Sequence, residues 1–112
     1  MRRLVLATAT VTLALALPAP AGAATTRSCG FVGFEPNSDN GAFQIRARGV
    51  SCRTARSVAR ASAPYGPQGD DGRVVRYRAR RFACVGRERD SGLASVRFRC
   101  TRAAAVITFV RS

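Results

Sequence analysis

Histidine, lysine and tryptophan are all missing from this sequence. Without histidine, no side chain titrates at its ordinary pKa between about pH 5 and 8, and no Ser-His-Asp or Cys-His device can be assembled. Without lysine there is no amine nucleophile. Acids are few: Glu35, Asp39, Asp70, Asp71, Glu88 and Asp90 make up the whole set. Each falls in a stretch with turn chemistry, where carboxylates serve solvation and local backbone bonds. That placement argues against two carboxylates working as acid and base. There is no glycine-rich phosphate loop and no C-x-x-C pair. Asp39-Asn40-Gly41 and Asp70-Asp71-Gly72 resemble fragments of a calcium loop, but neither supplies the full series of ligands. The expectation is a protein that is not an enzyme and that holds neither metal nor cofactor.

Long apolar runs are scarce as well. The one that occurs, Leu4 to Leu17, follows Met1-Arg2-Arg3 and is about 14 residues long, the length of a signal-peptide core and short of the ~20 needed to span a bilayer. Pro18 and Pro20 break it, and Ala21-Gly22-Ala23 has the small-x-small pattern of a cleavage site. Residues 1–23 therefore read as a cleavable signal peptide, and residues 24–112 as a single small exported domain without a transmembrane segment. A core of that size is marginal and gains from cross-links.

Four cysteines follow the leader: Cys29, Cys52, Cys84 and Cys100. An even number in a short exported chain implies two disulfides. Three pairings are open. Short loops favour Cys29–Cys52 with Cys84–Cys100; the main alternative bonds Cys52, on a helix, to a strand cysteine. Every basic residue is arginine, nineteen against six acids, for a formal net charge of +13. A GC-rich genome accounts for arginine in place of lysine, but not for the excess of positive charge.

Thr25 to Phe34 suits a strand. Glu35 to Gly41 (EPNSDNG) is a turn. Ala42 to Val50 alternates, with Phe43, Ile45 and Ala47 on one side and Gln44, Arg46 and Arg48 on the other, as in a half-buried strand. Ser51 caps a helix whose Cys52, Ala55, Val58, Ala59 and Ser62 recur at helical spacing, and Pro64 ends it at or before Ala63. Ala63 to Gly72 is a long loop. From Arg73 a strand runs through Val75, Tyr77, Ala79, Phe82 and Cys84 to Gly86, followed by a turn over Arg87 to Gly92. Two more strands carry Val96, Phe98 and Cys100, then Val106 to Val110. The fold class is α+β, one helix packed on an antiparallel sheet of four or five strands.

The segment Gln44 to Ala61 (QIRARGVSCRTARSVARA), with Phe82 to Cys84 and Phe98-Arg99-Cys100-Thr101, resembles a group of small exported, cystine-linked proteins of unknown function from high-GC actinobacteria. The likeness spans about residues 42–110. It implies an exported α+β domain and no catalytic or binding residue.

Partner chemistry rests on the arginines. Arg76, Arg78 and Arg80 share one strand parity, and Arg97 and Arg99 another. On one sheet they would form a patch for polyanions such as acidic envelope polymers, anionic lipid headgroups or nucleic acid. Tyr77, Phe82 and Phe98 are expected to point the other way, which argues against a nucleic-acid surface that reads sequence by stacking. The function expected is a secreted, non-enzymatic binding domain. The alternative is a small inhibitor of extracellular proteases that presents Pro64 to Asp71 as a rigid loop.

Overall fold

Seven elements run between Arg27 and Arg111 in the computed structural model, which describes residues 5, 7–14, 25–65, 73–88 and 95–112. They are β1 (Arg27–Gly33), β2 (Gly41–Arg48), α1 (Cys52–Arg60), β3 (Val74–Ala79), β4 (Phe82–Glu88), β5 (Val96–Arg102) and β6 (Ala105–Arg111). The strands form one sheet in the order β1-β2-β6-β5-β4-β3, every pair antiparallel. The α+β architecture is thus present, with six strands rather than four or five.

The additional strand comes from a turn that the residue types conceal. Val75, Tyr77 and Ala79 face inward at odd positions, whereas Phe82, Cys84 and Gly86 do so at even ones. The phase changes because Arg80 and Arg81 form a two-residue hairpin connection with φ of 48° and 66°. Two consecutive positive φ angles belong to a type I′ turn, normally built from Asn-Gly or a similar pair. Arginines there give no compositional signal.

Ser51 caps α1 as its sequence implies: the Thr54 amide donates to its Oγ at 3.2 Å. Ala55, Val58 and Ala59 are fully buried, and Ser62 just beyond the helix is buried too. These small side chains let the helix lie close on the inner face of the sheet, against β1 and β2. The helix also has a topological task, beginning the crossover from β2, second in the sheet, towards β3 at its far edge. From there β3 to β6 return as a meander, and the last strand pairs with β2.

The inner face holds Ile45, Ile107, Val96, Phe82, Phe98 and Phe109, all essentially inaccessible. A series of rings crosses it. Tyr65 stacks on Tyr77 (5.1 Å), Tyr77 meets Phe98 edge-on (5.4 Å), and Phe98 stacks on Phe109 (5.0 Å). Phe98 reaches Tyr77 by lying over Gly86, where a Cβ would come within 2.5 Å of its Cε1 atom. Gly86 therefore belongs inside β4, as the floor on which an aromatic lies.

Both disulfides are formed: Cys29–Cys52 and Cys84–Cys100, the pairing with the shorter loops. The first ties the start of α1 to the edge strand β1, so the helix cysteine is also bonded to a strand cysteine. The second joins directly opposed residues of β4 and β5. Two disulfides fit an extracellular protein. No helix among the described residues is long and apolar enough to cross a membrane, and the expected cleavage site at Ala23 lies outside the described residues.

Candidate functional site

With apolar side chains turned inward, alternation along each strand sends the arginines to the opposite face. The register lines them up in rows across the sheet. One row runs Arg76, Val85, Arg99, Thr108, Arg46, Ser28 from β3 to β1. A second runs Val74, Arg87, Arg97, Val110, Phe43, and a third Arg78, Ala83, Thr101, Val106, Arg48. Arg46, Arg48, Arg76, Arg78, Arg87, Arg97 and Arg99 are all exposed there, and no acid shares that face among the described residues. In the first row the arginines fall on alternate strands, a Cα spacing of about 10 Å from the general distance between strands.

Four of the five arginines expected to form a patch, Arg76, Arg78, Arg97 and Arg99, do share this face. Arg80 does not continue the row, because it occupies the β3–β4 turn, where its carbonyl accepts from Arg102 Nη1 (3.1 Å). Arg46, Arg48 and Arg87 join instead. Arg46 and Arg48 already have outward parity in the sequence, but nothing local says that β2 lies two strands from β5. Arg87 was expected in a turn and instead lies in β4.

Two open concavities mark the face. One, of about 560 Å³, is lined by residues that include Ser28, Gln44, Arg46, Arg97, Arg99 and Thr108. The other, of about 300 Å³, lies between Arg76 and Arg78 over Ala83 and Val85.

The aromatics divide in an unexpected way. Tyr77 and Phe98 point inward as their parity implies, and Phe82, even-numbered like Arg76 and Arg78, does so because the β3–β4 turn changes the phase. Phe43, expected on the side of Ile45 and Ala47, is on the arginine face. Gln44 has a φ of 50°, and the β2–β6 register slips between Phe43 and Arg46. This bulge inserts a residue and reverses the alternation. Phe43 then meets Phe31 of β1, with ring centroids 4.8 Å apart.

The carboxylates are dispersed. Glu35 and Asp39 lie in the β1–β2 turn, while Glu88, expected in a turn, is the last residue of β4 and is buried on the inner face. Asp70, Asp71 and Asp90 lie outside the described residues, as does most of the loop from Pro64 to Asp71. Among the described residues there is no group of three potential metal ligands.

Arg111 serves the fold. At the end of β6 it is buried; its Nη1 donates to the Ser62 carbonyl (2.7 Å), and its guanidinium lies 4.6 Å from the centre of the Phe34 ring. Burial lowers its pKa, partly opposed by Tyr77. It holds the segment after α1 against the sheet and is unavailable to a ligand.

Comparisons with protein-family models, with curated proteins and with solved structures found no match.

Proposed function

We propose that this is a secreted, non-enzymatic binding domain that adheres to acidic polymers or anionic lipid headgroups of a cell envelope through the outer face of its sheet. The observation that carries this reading is the seven-arginine face, free of acids among the described residues and indented by two concavities. Guanidinium forks suit carboxylate and phosphate oxygens, and a rigid sheet fixes their spacing before the ligand arrives. The leader, expected to be removed near Ala23, and the two disulfides support action outside the cell.

Binding of this kind releases counterions and so weakens with salt. The test is a titration of the purified protein with inorganic polyphosphate and with vesicles containing anionic lipid. For about four anionic groups neutralised, affinity should fall roughly 50- to 150-fold between about 50 and 200 mM salt. Replacing Arg46, Arg76 and Arg99 by glutamine should flatten that dependence. Equal affinity at both salt concentrations, or no binding at low salt, would defeat the proposal.

A further inference from the structure

Beside the arginines lies a held aromatic surface. Phe31 is 49% exposed although it sits within β1. Its ring is laid along the sheet: Cε1 and Cζ lie over Gly33, and Cε2 and Cζ lie over Gly41 of the neighbouring strand. A Cβ on Gly41 would fall 2.6 Å from Cε2, so the glycine makes the floor on which the ring rests. Phe43, turned outward by the Gln44 bulge, backs the ring from the side. The result is a fixed apolar platform, joined to the larger groove through Phe43, which pairs with the groove residue Val110. In that groove Ser28, Gln44 and Thr108 supply neutral hydrogen-bonding groups next to Arg46, Arg97 and Arg99.

From this we infer that the ligand is an acidic polysaccharide. The C–H face of one sugar ring would stack on Phe31, sugar hydroxyls would meet Ser28, Gln44 and Thr108, and carboxylate or ester anions on the chain would be held by Arg46, Arg97 and Arg99. The inference rests on the anion-binding reading of the same face and adds the class of ligand. Polyanions without rings would leave the platform and the neutral groups unused. Single-stranded nucleic acid stacks successive bases on successive aromatics, and among the described residues this face has one ring pair beside many arginines. A bilayer takes up rings that protrude, whereas Phe31 is folded down.

The test compares four probes on the purified protein by calorimetry: polygalacturonate (acidic rings), inorganic polyphosphate (charge without rings), dextran (rings without charge) and oligothymidylate. Phe31→Ala should weaken polygalacturonate binding about tenfold, in line with one lost aromatic stacking contact, while polyphosphate binding stays within about twofold. A thermal melt by circular dichroism that matches the parent's reports that the variant is folded. Phe31→Tyr should bind as the parent does, and dextran should bind far more weakly than polygalacturonate. If both polyanions bind and Phe31→Ala changes neither, or changes both equally, the sugar assignment fails and the arginine reading stands. Tighter, Phe31-dependent binding of oligothymidylate overturns it in favour of nucleic acid. If neither polyanion binds, the arginine reading itself fails.

Discussion

Tyr77 joins the helix to the sheet. It is 6% exposed, and its hydroxyl donates to the Val58 carbonyl at 2.8 Å, satisfying an acceptor near the end of α1. Burial, and secondarily Tyr65, push its pKa well above the ordinary 10.0. Below that value the phenol is protonated in both states and its contribution to stability is complete. Above it the unfolded chain gives up the proton first, so stability falls with rising pH, at up to about 1.4 kcal/mol per pH unit. Tyr77→Phe should cost about 1–2 kcal/mol at neutral pH, since the Val58 carbonyl loses its donor. It should also remove this alkaline loss. Urea unfolding at about pH 7 and pH 11 measures both effects, and an unchanged alkaline loss in the variant would show that another group titrates.

At the scale of elements, connections decide what the face contains. The β3–β4 turn places two arginines at positive φ, at a cost of about 1–2 kcal/mol each where glycine or asparagine would pass more easily. Arg80→Asn with Arg81→Gly should therefore raise stability by about 1–2 kcal/mol, read from the urea midpoint. Because the turn lies outside the rows, this pair should cost less polyphosphate affinity than Arg76→Gln with Arg99→Gln, although both remove two charges. Equal losses would mean that total charge, not the face, attracts the ligand. The Gln44 bulge acts in the same way, since one inserted residue moves Phe43 from the core face to the arginine face.

For the whole molecule, the sheet is closed by β2–β6, which unites an early hairpin with the final strand. Such distant pairing is entropically costly, and the two disulfides offset part of that cost. Their sequence separations of 23 and 16 residues correspond to about 3 kcal/mol each on the chain-entropy account. Replacing either cysteine pair by alanine should lower stability by about that amount, and replacing both should leave the chain mostly unfolded near body temperature. Thermal melts followed by circular dichroism test this. A double replacement that melts like the parent would show that the core needs no cross-links.

Local pattern carried much of the fold. The helix from Ser51, the inward parity of Tyr77, Cys84, Phe98 and Cys100, and the turn from Glu35 are all legible because each depends on near neighbours in the chain. The β3–β4 break was legible only as a change of phase, from Ala79 to Phe82, without turn residues to mark it. Sequence alone established an arginine-rich, histidine-free, four-cysteine chain that alternates in and out. Tertiary structure decided that six strands share one sheet, that β2 lies beside β6, and that Arg46, Arg87 and Phe43 stand with Arg97 and Arg99. Those outcomes depend on strand order and on a backbone bulge, and neither is encoded in the spacing of adjacent residues.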